Sequence, residues 1–151
     1  MRNERWLLLL VLCLWAVMVG AQDFTFITTN GVAKRVAELP DDRLTVLVFF
    51  DPDCTTCRQE LFQMRHSAVL RQAVEEGRAQ VLTVCVEENI EAWQQMCREM
   101  PTEWIKGMSA TEPFLLKEYD LSSLPATYLL DTDKKVLLRV RDYAQLCDLL
   151  R

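Results

Sequence analysis

The feature that most constrains the fold is an apolar run followed closely by two cysteines. Leu44–Phe50 (LTVLVFF) is apolar throughout except for one threonine and is rich in β-branched and aromatic residues. A run of this kind is typical of a strand that is buried on both faces of a sheet. After a short polar turn, Cys54 and Cys57 open a segment of helical periodicity. The sequence therefore predicts a strand, a loop and a helix, with two thiols at the start of the helix.

The other periodicities alternate between strands and helices. The predicted strands are Phe24–Thr28, Leu44–Phe50, Val81–Val86, Ala126–Leu130 and Val136–Val140, and the predicted helices are Val32–Leu39, Thr55–Glu76, Ile90–Met100, Phe114–Tyr119 and Asp142–Leu150. This alternation predicts an α/β fold, a three-layer sandwich with a mostly parallel central sheet and helices on both faces. The polar turn Asp131–Lys135 joins the last two strands, which predicts an antiparallel hairpin at the C-terminal edge.

The N-terminal segment, residues 1–21, differs from the rest of the chain. A basic start precedes the apolar run Trp6–Val19, and the small residues Gly20 and Ala21 follow it. This order is typical of a secretory signal peptide, which we expect to be cleaved after Ala21. The run is shorter than the roughly 20 residues of a spanning helix, although an uncleaved membrane anchor is the alternative. We expect export to the periplasm or cell envelope, with residues 22–151 forming one domain.

Charge and cysteine content narrow the classes of function. The chain has a net charge of −5 and no basic run, which argues against nucleic-acid binding, because that needs a basic surface. Removal of the signal peptide would leave five cysteines: Cys54, Cys57, Cys85, Cys97 and Cys147. With an odd number, at least one cysteine is outside any intramolecular disulfide. Those beyond the first two fall on apolar strand or helix faces, where we expect them to be buried.

The position of Cys54 and Cys57 predicts redox chemistry. The free amides and dipole of a helix N-terminus favour negative charge, so a thiolate at Cys54 is stabilised. Cys57 lies one helical turn further, from where it can resolve a mixed disulfide formed on Cys54. A purely structural disulfide and half of a zinc site are the alternatives. Zinc needs two more ligands, and the single histidine, His66, lies nine residues beyond Cys57 in the same predicted helix.

Two segments carry a resemblance to a known family. One is Val46–Phe50 with the Cys-Thr-Thr-Cys motif, and the other is Tyr119–Asp131 (YDLSSLPATYLLD). At this separation they resemble the thioredoxin superfamily, and within it the exported TlpA/ResA-like branch, over roughly Leu44 to Val140. The resemblance implies a thioredoxin-like fold, no cofactor, and exchange with protein thiols and disulfides. It also implies a membrane partner that donates or accepts electrons.

The resemblance further implies roles for three residues outside the dithiol. Pro125 would be the cis-proline that packs against the dithiol, and the backbone of Leu124 would pair with an extended substrate peptide. Glu60 matches an acidic residue typical of the TlpA/ResA-like branch and would transfer protons to the thiols. A solvated helix residue is the alternative for Glu60. The buried aspartate of thioredoxin, on the strand before the dithiol, is replaced here by Val48, so that proton relay is missing.

We therefore expect a thiol-disulfide oxidoreductase of the cell envelope, a monomer without metal, and the resemblance favours a reducing role. A non-catalytic binding module that uses the groove beside Pro125 is one alternative, and it predicts that Cys54→Ser leaves partner binding intact. A thiol peroxidase is the other. Thr55 and Arg58 near Cys54 suit a peroxidase, but the closely spaced cysteine pair argues against it. Trp104, in a predicted loop before Pro125, is expected to be a core or rim residue, and shaping a partner groove is the alternative.

Overall fold

The computed structural model describes residues 23–151, so the predicted signal peptide lies outside the described part of the chain. The strands are β1 (Thr25–Thr28), β2 (Ala33–Arg35), β3 (Leu44–Phe50), β4 (Ala79–Cys85), β5 (Ile105–Ser109), β6 (Ala126–Leu130) and β7 (Val136–Val140). The α-helices are α1 (Thr55–Arg65), α2 (Ala68–Glu75), α3 (Ile90–Glu99) and α4 (Tyr143–Leu150). Within residues 23–151, no helix is long and apolar enough to span a membrane.

The seven described strands form one sheet in the order β2-β1-β5-β4-β3-β6-β7. β3 pairs in parallel with β4, and β4 with β5, whereas every other pairing is antiparallel. The predicted α/β class and the C-terminal hairpin are confirmed, but parallel pairing is limited to the three central strands. The reason lies in residues 110–125, which contain no α-helix to carry the chain back across the sheet. The chain therefore enters β6 at the end of the sheet where β5 stops.

Two of the predicted helices are wrong. In place of a helix over Val32–Leu39, Ala33–Arg35 pairs with β1, and only Val36–Glu38 forms a turn of 3₁₀-helix. In place of a helix over Phe114–Tyr119, only the three residues Pro113–Leu115 are helical, again as 3₁₀-helix. Both segments are short, and a short helix is only marginally stable by itself. Long-range strand pairing or packing therefore decides their conformation instead of the weak local periodicity.

The helix predicted over Thr55–Glu76 is two helices. The break falls at Ser67, whose hydroxyl accepts a hydrogen bond from the N–H of Leu70 at 3.1 Å. Serine in this position caps a new helix, because its side chain satisfies an amide that has no partner within the helix. The chain then turns at Gly77, where φ is +70°, a conformation that side chains other than glycine disfavour.

Strand β5 was not predicted, because Lys106 and Gly107 interrupt its apolar pattern. Position 107 must be glycine because there is no room for a side chain. A Cβ atom there would lie 2.5 Å from Cδ2 of Phe26 on the neighbouring β1. The close approach of the two strands therefore depends on the missing side chain. Trp104, just before β5, is 6% exposed and packs in the core, as expected for a core residue.

The hydrophobic core lies on both faces of the sheet. On one face, all four described α-helices contribute buried residues, among them Leu61, Leu70, Trp93 and Leu146. On the other face the cover consists of 3₁₀ turns and irregular segments that supply Val36, Leu39, Leu116 and Tyr119. The third layer of the predicted sandwich is thus present but is not α-helical. Alternate residues of β3 and β6 face the two clusters, as expected for strands that are buried on both faces.

Candidate functional site

The two thiols lie where a central strand passes into a helix. After β3, the turn at Asp51 is closed by the N–H of Asp53, which donates to the Asp51 carboxylate at 2.7 Å, and by the N–H of Cys54, which donates to the Asp51 carbonyl at 3.2 Å. Cys54 is the N-cap residue of α1, and its sulfur accepts a hydrogen bond from the N–H of Cys57 at 3.3 Å. The sulfur occupies the place of the side-chain oxygen that usually caps a helix, and it lies at the positive end of the helix dipole.

The environments of the two thiols differ. Cys54 is partly exposed, whereas Cys57 has no exposed surface, and the two are not joined in a disulfide. Burial, together with the neighbouring Cys54, raises the pKa of the Cys57 thiol to about 12. Cys54 is therefore accessible to a substrate disulfide. Cys57 is buried and protonated, so it needs a base before it can react.

Leu124, the residue before Pro125, lies beside Cys54, although it is far from it in sequence. The carbonyl oxygen of Leu124 is 3.8 Å from the sulfur of Cys54, a contact between residues 70 positions apart. The peptide bond between Leu124 and Pro125 is cis. Because β6 begins immediately afterwards and pairs with β3, the sheet itself holds this segment next to the start of α1.

Glu60 lies on α1, one turn beyond Cys57, and is partly buried. Its carboxylate accepts a hydrogen bond from the hydroxyl of Thr127 at 2.7 Å. Burial raises the pKa of Glu60, the Thr127 hydroxyl opposes that rise, and the nearby negative charge of Asp142 adds to it. Glu60 is thus not the solvated helix residue that was the alternative. Because Thr127 is opposite Val48 in the β3–β6 register, the carboxylate from the helix lies beside the strand position at which thioredoxin carries its aspartate.

Thr127 was missed by the sequence analysis. It is 3% exposed and lies in the strand ATYLL, two residues after Pro125. A buried hydroxyl in a strand that is buried on both faces needs a hydrogen-bond partner. That need was the available signal, but the sequence did not indicate that the partner would be Glu60.

The other candidate residues lie apart from the dithiol or in the core. His66 ends α1, and its ring nitrogen Nδ1 is 2.8 Å from the carbonyl oxygen of Phe62. Cys85, Cys97 and Cys147 are buried, and burial raises the pKa of the first two to about 11. Over residues 23–151, no three side chains of the types that bind metals form a cluster suited to an ion.

Comparison with solved structures gives extensive matches to one fold. A conserved protein of unknown function from Bacteroides fragilis is 34% identical, with a TM-score of 0.76, over 87% of this chain and 96% of that one. A thioredoxin-like protein from Bacteroides caccae is 27% identical, with a TM-score of 0.74, over 85% of this chain but 46% of its own length. The thioredoxin domain of a thiol-disulfide oxidoreductase from Bacteroides vulgatus is 17% identical, with a TM-score of 0.71, over 85% of this chain and 91% of that one.

Comparison of the sequence with protein-family models gives no match, and neither does comparison with curated proteins. The likeness therefore rests on structure together with moderate sequence identity. It extends over 85–87% of the chain.

Proposed function

We propose that this chain, which belongs to the thioredoxin superfamily, is a thiol-disulfide oxidoreductase that exchanges its Cys54–Cys57 dithiol with disulfides of protein substrates. One observation carries the proposal. A partly exposed sulfur at a helix N-terminus is bordered by a buried second thiol and by the backbone carbonyl of Leu124. A nucleophile, a resolving thiol and a backbone edge for an extended substrate are the groups that disulfide exchange requires.

The reaction follows from the arrangement of the sulfurs. The Cys54 thiolate attacks one sulfur of a substrate disulfide, and the other substrate sulfur leaves as a thiolate, so that a mixed disulfide remains. Cys57 then loses its proton and attacks the sulfur of Cys54. The substrate leaves as a dithiol and the Cys54–Cys57 disulfide forms. Two electrons pass to the substrate, and a reductant must return them to the enzyme before the next cycle.

Glu60 is proposed as the group that accepts the proton of Cys57. A thiol with a pKa of about 12 is almost fully protonated at neutral pH, so resolution needs a nearby base. Glu60 lies three residues after Cys57, and side chains at this spacing share one face of a helix. Because burial raises its pKa, Glu60 is a stronger base than an exposed carboxylate. Transfer through one bridging water is compatible with this role.

Membership of the TlpA/ResA-like branch, a reducing role, export and a membrane electron donor are parts of the same proposal. They are supported by the resemblance of the two motif segments and by the basic and apolar pattern of residues 1–21. Cell fractionation combined with the N-terminal sequence of the mature protein tests export directly. A mature chain that begins at Gln22 in the envelope fraction is the expected result, and an intact chain in the cytoplasm would refute it.

The first experiment is to measure the reduction potential of Cys54–Cys57 in the purified domain, using thiol buffers of defined potential. A value near or below about −270 mV supports the reductase, and one near about −120 mV makes the protein a disulfide donor. Absence of any reversible couple would favour the binding module, and rapid consumption of peroxide would favour the peroxidase. Cys54→Ser should abolish reduction of insulin disulfides, whereas the matched variant Cys147→Ser, in a buried cysteine of α4, should not.

A further inference from the structure

Residues 120–125, which end beside the dithiol, contain no helix or strand. Their backbone amides and carbonyls are therefore not held by a regular ladder of hydrogen bonds. The carbonyl oxygen of Leu124 nevertheless lies 3.8 Å from the sulfur of Cys54. The N–H and hydroxyl of Ser122 donate to the Asp120 carboxylate within this segment, which we call the recognition loop, and side chains from elsewhere in the fold supply the other contacts that hold it.

The first anchor of the recognition loop is Tyr128 on β6. The N–H of Asp120 donates to its hydroxyl oxygen at 2.7 Å, and the hydroxyl donates to the carbonyl of Asp120 at 3.2 Å. One phenol thus satisfies both backbone groups of the first loop residue. The ring itself packs edge-on against Phe49 and Tyr119 in the core, so the anchor point is rigid.

The second anchor is Arg139 on β7, directly opposite Tyr128 in the β6–β7 register. Its Nη1 donates to the carboxylate of Asp120 at 2.8 Å. Its Nη2 donates to the hydroxyl of Ser123 at 3.0 Å and to the carbonyl of Ser123 at 3.3 Å. The planar guanidinium therefore joins the first residue of the loop to the residue that precedes Leu124, a fork that a lysine ammonium does not reproduce.

The ion pair adds little to stability, because the side chains of Arg139 and Asp120 are 34% and 60% exposed and water screens their charges. Its effect is geometric. An extended substrate that pairs with the backbone of Leu124 binds more tightly if that backbone is already ordered, since binding then costs less conformational entropy. A small disulfide without peptide groups, such as hydroxyethyl disulfide, has no backbone with which to pair with Leu124.

We propose that Arg139 is a positioning residue that, with Tyr128, holds the recognition loop for protein substrates, an inference that rests on the proposed exchange activity. Arg139 thereby favours the binding of protein disulfides over that of small disulfides and takes no part in the thiol chemistry. The test compares Arg139→Met and Arg139→Lys with the matched control Arg141→Met, an exposed arginine just beyond β7. For each, we would measure kcat and KM for insulin disulfides, the rate with hydroxyethyl disulfide, and the reduction potential of Cys54–Cys57.

Both Arg139 variants should raise the KM for insulin by about tenfold, because displacement of a substrate-positioning group far from the chemistry can cost up to about a hundredfold. The kcat, the rate with hydroxyethyl disulfide and the reduction potential should match those of Arg141→Met. Should Arg139→Met fail to fold, Asp120→Asn removes the same ion pair from the loop side. An unchanged KM for insulin, or an equal loss of rate with hydroxyethyl disulfide, would overturn the proposed role of Arg139 and leave the exchange activity standing. A wild-type protein that reacts with neither disulfide would overturn the proposed function and this inference with it.

Discussion

Replacement of Thr127 by valine tests whether Glu60 is a titrating group in the site. The substitution keeps the shape of a side chain that is 3% exposed but removes the hydroxyl that donates to Glu60 at 2.7 Å. A hydrogen bond between neutral groups contributes about 0.5–1.5 kcal/mol, and one to a charged group about 1.5–3 kcal/mol. The free energy of unfolding should therefore fall by the smaller amount at a pH where Glu60 is protonated and by the larger amount where it is ionised.

The direction of the pH dependence follows from the raised pKa of Glu60. The folded protein holds this proton more tightly than the unfolded chain, so the contribution of Glu60 to stability falls as pH rises from its unfolded pKa through its folded pKa. The Thr127 hydroxyl opposes this fall because it stabilises the carboxylate. Thr127→Val should therefore make the decline steeper, and Glu60→Gln should remove it. Asp142 is the other titratable group whose charge acts on Glu60, and it is present in every variant.

The assay is urea unfolding from about pH 4 to pH 8, a range that spans the titration of buried carboxylates. It compares the wild type, Thr127→Val, Glu60→Gln and the double variant. Thr83→Val is the matched control, because Thr83 is also buried in a central strand but its hydroxyl lies within hydrogen-bond distance of Met100 Sδ and the Ile105 carbonyl, not of a carboxylate. The reasoning fails if Thr127→Val and Thr83→Val show the same pH profile, or if the profile of Thr127→Val persists in the double variant.

Two further predictions concern the sulfurs and the sheet. Cys57→Ser should accumulate a mixed disulfide between Cys54 and a protein substrate, because the resolving thiol is gone; mass spectrometry of the trapped adduct checks this, and an equal adduct in Cys54→Ser would contradict it. Gly107→Ala should lower the free energy of unfolding by about 1–3 kcal/mol through overpacking against Phe26. Phe26→Leu in the same chain should recover part of that loss in urea unfolding, and a fully additive double variant would refute the steric explanation.

Features that depend on neighbours in the sequence were predictable. Strand β3 is a long apolar run, β6 is a shorter and largely apolar one, and Cys54 follows β3 at the spacing that starts a helix, so these elements could be placed from the local pattern. Strand β5 could not, because Gly107 is explained only by Phe26, which lies far away in the sequence. Long-range contacts of this kind leave no periodic signal.

The candidate site was also only partly predictable from the sequence, for the same reason. Cys54, Cys57, Glu60, Leu124 and Pro125 were all named from the motifs, and the structure brings the first sulfur to the carbonyl of Leu124. Their supporting side chains on β6 and β7 were not named. The polar contacts of these side chains reach across the sheet to a helix or a loop, and nothing in the strand sequences indicates which polar group they will meet.

The antiparallel direction of β6 is what makes the site possible. If β6 ran parallel to β3, Pro125 at its start would lie at the opposite edge of the sheet from Cys54. Because it runs antiparallel, its first residues meet the end of β3, and Leu124 reaches the dithiol. The same direction places Thr127 opposite Val48, so that a carboxylate from α1 can be held over the strand without a charged residue in the strand itself. The dithiol, Leu124 and the proposed base are thus brought together by one strand pairing, β3 with β6.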